Sequence, residues 1–341
     1  MGTETRLIEN LAIAGFRSFG HEVQRFEKFE KINLFIGQNN CGKSNILRFM
    51  QCVFRDPRPG QSFDVESLDR HMLGSSTFVA GLGIPLSKDE HGQHSDFLHY
   101  IRQKLAQQHQ GTQVEGYIFD IFAKHAQRQD TPSVWFDFDE SNRLIPAEWE
   151  GSFESLSDGP VQSIWSALTG RGGGDRKQHW IPETLSRLAP GFHKVPVVII
   201  PAIRQVSSEG VEAEDFSGGG LIEQLAKLQN PDVHNQDDKR RFEEINRFLQ
   251  DVTANESATI DIPHTRDTIL VHMDSKTLPL ESMGTGIHEV VILASAATAF
   301  DNSVICMEEP ELHLNPILQK KLVRYLHKRT NNQYFITALL H

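Results

Sequence analysis

Short runs of consecutive apolar residues recur along the chain, separated by longer stretches whose apolar positions follow a helical spacing. Ile32-Asn33-Leu34-Phe35-Ile36 reads as a buried strand, and Val195 to Ile200, closed by Pro201, reads as a second. Ser303 to Met307 reads as a third, and Gln333 to Thr337 as a last one. Between them lie helical patterns at Asn45 to Phe54, Leu221 to Leu228, Asp237 to Phe248, Val290 to Phe300 and Ile317 to Arg329. The first of these is ended by Pro57, Pro59 and Gly60. Thr259 to Ile262 and Thr268 to Met273 suggest a hairpin. Leu11 to Phe16 suggests a strand near the start, and Val114 to Phe122 and Ser133 to Phe138 suggest two more. Residues 60–115 are irregular apart from a polar helical pattern at Phe97 to Gln108, and Gly170 to Asp175 reads as a glycine-rich loop. Apolar strands alternating with helices predict an α/β core with a mostly parallel sheet. No internal repeat or heptad run is present.

One turn in this pattern carries chemistry. Gly37-Gln38-Asn39-Asn40-Cys41-Gly42-Lys43-Ser44 fits G-x-x-x-x-G-K-[ST] at every fixed position, between a strand and a helix that begins Ser44-Asn45. In that geometry successive backbone N–H groups and the helix N-terminus point at one anion. Lys43 would reach the β- and γ-phosphates of a nucleotide, and the Ser44 hydroxyl would bind Mg²⁺. A glycine-rich turn without a ligand is the bland alternative.

Two further pieces lie downstream. The strand ending at Met307 runs into Glu308-Glu309-Pro310-Glu311, placing two carboxylates at the carboxyl end of a buried strand, where open α/β sheets bind ligands. One can hold Mg²⁺ while the other polarises an attacking water. The competing reading has both acids capping the next helix. Ser282-Met283-Gly284-Thr285-Gly286, just before the apolar helix, is a second candidate phosphate cradle, or only a turn.

Composition narrows the setting. The chain has 341 residues, 38% hydrophobic and 23% charged, with 34 basic against 45 acidic residues and a net charge of −11. That balance argues against wholesale coating of nucleic acid and leaves room for a local basic patch. Cys41, Cys52 and Cys306 lack CxxC spacing, which predicts free thiols in a reducing compartment. The sixteen histidines include no HExxH. No signal core or bilayer-length apolar stretch is present, so the expected location is cytoplasmic.

Together the three motifs resemble an ABC-type ATPase head of the branch shared by RecF, the SMC proteins and the OLD (overcoming lysogenisation defect) ATPase-nucleases. Phe16-Arg17-Ser18-Phe19 also resembles the opening strand of that branch. The resemblance implies a P-loop NTPase fold, with a mostly parallel central sheet, an antiparallel N-terminal sheet and a helical insert. It divides the chain into an N-terminal lobe with the Walker A motif at 1–59, a variable insert at 60–195 and a C-terminal lobe at 196–341. Within the last lobe, about 217–252 is the helical insert that such heads use to dimerise. Gly37, Gln38, Asn39, Asn40, Cys41, Gly42, Lys43, Ser44 and Asn45 become nucleotide-binding residues, and Arg17 approaches the nucleotide or is simply a surface arginine. Glu308 is implied as the Walker B acid and Glu309 as the catalytic base. Ser282, Gly284, Thr285 and Gly286 form the signature motif, which binds the γ-phosphate of ATP held by the partner subunit.

The Glu-Glu-Pro-Glu stretch followed by Leu-His-Leu is most similar to the OLD version, as is Ile200-Pro201-Ala202-Ile203-Arg204. Asn315 departs from the histidine more often seen there. Leu339 stands where the resemblance calls for a γ-phosphate-sensing histidine, and His341 lies two residues late. No Toprim nuclease domain follows, so the expectation is a truncated or divergent head with feeble ATPase activity and no nuclease activity of its own. The implied assembly is a Mg²⁺-dependent ATPase closing as a homodimer on ATP, serving a nuclease or other effector in phage defence or DNA processing. The alternatives are an ATP-switched scaffold, or a RecF-like head that meets DNA phosphates through Lys320, Lys321, Arg324, Lys328 and Arg329.

Overall fold

The computed structural model describes residues 7–71, 78–88, 92–201, 219–232, 236–312 and 314–339. In chain order the strands are β1 Leu11–Ala14, β2 Gln24–Phe26 and β3 Ile32–Gly37, followed by helix α1 Lys43–Phe54. Next come β4 Val79–Pro85, α2 Ser95–Lys104, α3 Gln113–Gln129 and β5 Ser133–Phe138. Three helices follow, α4 Glu150–Phe153, α5 Asp158–Thr169 and α6 Ile181–Leu188, and then β6 Val197–Ile200. The remainder comprises α7 Gly219–Gln229, α8 Gln236–Thr253, β7 Thr259–Asp261, β8 Leu270–Met273 and β9 Lys276–Pro279. The chain closes with α9 Thr285–Ala299, β10 Val304–Glu308, α10 Pro316–Arg329 and β11 Gln333–Leu339.

The chain divides into two compact units. One lies within Met1–Glu9, Lys28–Arg55 and Lys194–His341, and the other within Asn10–Glu27 and Asp56–His193. The first is built on a parallel sheet in the order β3-β11-β10-β6. Val304, Ile305, Cys306 and Met307 of β10 are all buried, as a strand covered on both faces requires. Helix α1 packs against β3, β6 and β11. Helix α9 is apolar around almost its whole circumference, from Val290 to Ala297, and packs against α7, α8 and α10. A three-stranded antiparallel sheet, β7-β8-β9, completes this unit and contains the expected hairpin pairing of Ile260 with Val271.

Buried amides hold the parallel sheet to its surroundings. Gln333 accepts from the N–H groups of Leu7 and Ile8 and donates to the carbonyls of Ile8 and Glu30. Asn332 donates to the carbonyls of Ala297 and Phe300 and accepts from the Ser303 N–H. Every strong polar function of these two fully buried side chains is thereby satisfied.

The second unit carries the antiparallel sheet, in the order β2-β1-β4-β5, with α2 to α6 in the same unit. Here two readings of the sequence fail. Val114 to Phe122 is not a strand but the first half of α3. Thr112 caps that helix by accepting from the Val114 N–H, and Ile118, Ile121, Phe122, His125 and Ala126 form one buried helical stripe. Strand β4, central in its sheet, was hidden by its glycines. A Cβ at Gly81 would lie 2.4 Å from Asp137 Oδ1 and 2.7 Å from Ala12 Cβ, and one at Gly83 would lie 3.1 Å from the Trp135 ring. At Gly81 a side chain would collide with Asp137 and Ala12, and at Gly83 it would press on the Trp135 ring, which favours glycine at both positions.

Candidate nucleotide site

The first unit gathers its chemistry at the carboxyl ends of three adjacent strands. In register, Gly37 of β3 lies opposite Leu339 of β11, while Thr337 of β11 lies opposite Glu308 of β10. The turn after β3 and the acids after β10 are therefore separated by one strand, at the edge where α/β sheets bind ligands.

The turn has the conformation its residue types predict. Gly42 adopts φ 98° and Asn40 φ 63°, both left-handed. A Cβ at Gly37 would meet Cys41 Sγ at 2.6 Å. No side chain caps α1 at Gly42 and no acid lies in its first turn, so its N-terminal end is suited to an anion. Lys43 is folded back over the loop, where its Nζ donates to the carbonyls of Gly37 and Gln38 at 2.9 Å each. The same Nζ lies 3.9 Å from Glu309 Oε1. Lysine and glutamate, far apart in sequence, thus face one another across the end of β11. Ser44 is exposed at the start of α1 and Asn45 half-buried beside it.

Glu309 holds an uncommon backbone position, φ 44°, fixed by its N–H donating to the Thr337 carbonyl at 2.9 Å and to Thr337 Oγ1 at 3.3 Å. Glu309 directly precedes the 3₁₀ turn Pro310–Leu312, and neither acid is the cap of α10 beyond it. That role falls to Asn315, whose side chain accepts from the N–H groups of Ile317 and Leu318, with Pro316 behind it. The asparagine that departs from the OLD pattern is thus a helix cap. Burial pushes the Cys306 thiol on β10 well above its usual range, with the Glu308 charge acting in the same direction. That cysteine is an inert part of the core.

Ser282 ends a short 3₁₀ turn, and Gly284 stands at the N-cap of α9 without a side-chain cap. Ser282, Gly284 and Thr285 are exposed and Gly286 is half-buried. Among the described residues none of them hydrogen-bonds to the phosphate loop.

Arg17 belongs to the second unit, at φ 48°. Its guanidinium binds Asp69 Oδ1 at 2.6 to 2.7 Å, and its backbone N–H donates to the Asp69 carbonyl. The basic residues of α10 separate by face. Lys321 binds the Asp251 carbonyl and lies 3.6 Å from its carboxylate, whereas Lys320, Arg324 and Lys328 are exposed and make no ion pair among the described residues. Ala202, Ile203, Arg204 and His341, like residues 217–218 of the insert, fall outside the described residues.

The residues present fit a nucleotide phosphate and a divalent cation. The loop offers a lysine ammonium and an uncapped helix start, while Ser44 and Glu308 offer hard oxygen donors. No group of three or more His, Cys, Asp or Glu clusters as a metal site among the described residues.

Residues 7–105 match the model of an AAA ATPase domain. Solved structures with a related chain path include an SMC head bound to the C-winged helix domain of ScpA. It is 14% identical, covers 98% of this chain and 90% of its own, and has a TM-score of 0.45. The SMC head domain from Thermotoga maritima is 12% identical, with coverages of 97% and 89% and a TM-score of 0.40. An SMC head with an extended coiled coil, bound to the C-terminal domain of ScpA derived from Pyrococcus furiosus, is 14% identical, with coverages of 98% and 89% and a TM-score of 0.42. Likeness of this size bears on neither activity nor partner. No curated protein matches the chain. A phosphate loop and an acid pair thus flank one parallel strand, β11, and the loop falls within the residues that match the AAA ATPase domain.

Among the described residues, no helix is long and apolar enough to cross a membrane.

Proposed function

We propose that the chain binds and hydrolyses Mg²⁺·ATP in a site formed by Gly37 to Asn45, Glu308 and Glu309, and completes that site by pairing with a second copy. The observation that carries this reading is the approach of Lys43 Nζ to Glu309 Oε1 at 3.9 Å across the end of β11. Lys43 binds the β- and γ-phosphate oxygens, exchanging its loop carbonyls for them. Backbone N–H groups of the loop and α1 neutralise the remaining phosphate charge. Glu309, held by Thr337, accepts the proton of the attacking water. Mg²⁺ supplies charge neutralisation at the phosphates, and the Ser44 hydroxyl and Glu308 carboxylate are the groups that would hold it.

Ser282 and Gly284 stand exposed just before α9 and Thr285 and Gly286 open it, so that a phosphate from the opposite subunit would meet an uncapped helix. Helices α7 and α8 form the rest of the dimer contact in this reading. The Glu308-Glu309-Pro310-Glu311 stretch supports placement in an OLD-type defence or DNA-processing system, with a nuclease or other effector as partner. A slower, switch-like role is favoured by Leu339, which has no side-chain hydrogen-bond donor where such heads carry a histidine.

The test is phosphate release from ATP with and without Mg²⁺, in the wild type, Lys43→Ala and Glu309→Gln. Metal-dependent turnover lost in both variants, with ATP binding kept in Glu309→Gln, is the expected result. Absence of both binding and turnover in the wild type would refute the proposal. Added duplex DNA separates a DNA-stimulated ATPase from an autonomous switch.

A further inference from the structure

We infer that Glu311 is a positioning residue of this site: its carboxylate ties the acidic turn after β10 to the end of β11, and so sets where Glu309 stands relative to Lys43. The inference rests on the roles just proposed for Glu309 and Lys43.

The Leu339 N–H donates to Glu311 Oε1 at 2.7 Å. Leu339 lies in register with Gly37, the first residue of the phosphate loop. The carboxylate therefore grips β11 beside the strand that opens that loop. Glu309 grips the same strand two residues earlier, through the Thr337 carbonyl and hydroxyl. The acidic turn thus has two anchors on one strand. Within the turn, the Leu312 N–H donates to the Glu309 carbonyl and the Leu314 N–H to the Glu311 carbonyl, both at 3.3 Å. These local bonds make the turn a single body.

One anchor would leave that body free to rotate about the Glu309–Thr337 bond. The second, at Glu311, stops the rotation. The backbone of Glu309 gives this a purpose, because its left-handed φ of 44° is a strained position for a non-glycine residue and persists only when the surroundings hold it. Glu311 Oε2 is buried and has no hydrogen-bond partner among the described residues. Among the described residues, the tie to Leu339 is accordingly the one hydrogen bond this carboxylate makes. It is a long-range tie, between two turns 28 positions apart in sequence.

The test compares Glu311→Gln, which keeps an acceptor oxygen, with Glu311→Ala, which removes it, and with Glu311→Asp, which shortens the reach. The first readout is amide hydrogen exchange over β11 in the folded protein without nucleotide. Exchange at Leu339 should quicken in the Ala and Asp variants and stay near wild type in Gln, and an unchanged rate in Ala overturns the inference whether or not the chain hydrolyses ATP. The second readout is steady-state ATP turnover, scaled to sites counted by ATP binding. In Ala and Asp, kcat should fall roughly 10-fold or more, since small misplacements of catalytic groups cost up to about 10²-fold. The KM for ATP should stay within about threefold, and Gln should restore most of kcat. A loss confined to KM, or an equal loss in Gln and Ala, would show that the charge acts on the ligand and would overturn the positioning role. If the wild type neither binds nor hydrolyses ATP, the ATPase proposal fails while the exchange result still decides the tie.

Discussion

Lys43→Ala separates the phosphate loop as an architecture from the phosphate loop as a binding site. In the wild type the ammonium is nearly enclosed, its side chain 8% exposed, and makes two short bonds to the carbonyls of Gly37 and Gln38. Removing it leaves those carbonyls without one donor, but Gln38 is exposed and Gly37 half-buried, so water can replace it. The fold should therefore lose under about 1 kcal/mol, the range of a surface substitution or one replaced hydrogen bond. Nucleotide binding loses more. Two charge-assisted bonds to phosphate contribute about 1.5–3 kcal/mol each, and half of the total is offset by the carbonyl bonds the lysine gives up. A net loss of about 1.5–3 kcal/mol weakens ATP binding by roughly 10- to 150-fold. Isothermal titration with Mg²⁺·ATP gives the affinity, and thermal melting without nucleotide gives the fold. Equal affinity in the two proteins would refute the assignment of Lys43. A large drop in melting temperature would show that the lysine is a structural strut.

Two other perturbations probe separate parts of the molecule. Ser282→Arg should leave the ATP affinity of the monomer unchanged while abolishing the ATP-dependent rise in mass seen by light scattering, and an unchanged rise would contradict a site shared between copies. His125 is buried, stacked on Trp149 at 3.8 Å, and burial pushes its imidazole down to about 4. A base lowered below its unfolded value contributes stability that is complete above about pH 6.5 and is lost as pH falls toward 4, here up to about 3 kcal/mol. Asp137, raised by burial and then by Glu148 against the pull of Arg25, has the opposite sign: its contribution is complete in acid and is lost as pH rises. Urea unfolding of Asp137→Asn should therefore show a steeper loss of stability from pH 6.5 to 4 than the wild type, and equal slopes would contradict this account.

What could be read from the residues followed from how local its cause was. Gly37 to Ser44 was legible because each fixed position answers a local demand, namely left-handed backbone at Gly42, clearance at Gly37 and an uncapped helix start. Glu308 and Glu309 were legible as acids ending an apolar run. Strand β4 was not, because Gly81 and Gly83 answer to Asp137, Ala12 and Trp135 on neighbouring strands. Helix α3 was misread because its first residues are rich in β-branched and aromatic types, while its period shows only over the full length to Gln129. The pairing of Arg17 with Asp69 and the bond from Leu339 to Glu311 depend on strand register across 52 and 28 positions, which no local pattern encodes.

The account turns on the acid that faces Lys43. Phosphate release from Mg²⁺·ATP by Glu309→Gln, measured beside the wild type at matched nucleotide occupancy, tests it most directly. Because Gln keeps the size of the side chain and its backbone bonds to Thr337, binding should persist while turnover falls by roughly 10²–10⁴-fold, the contribution of a general base. Turnover equal to that of the wild type would contradict the claim that Glu309 activates water at this site.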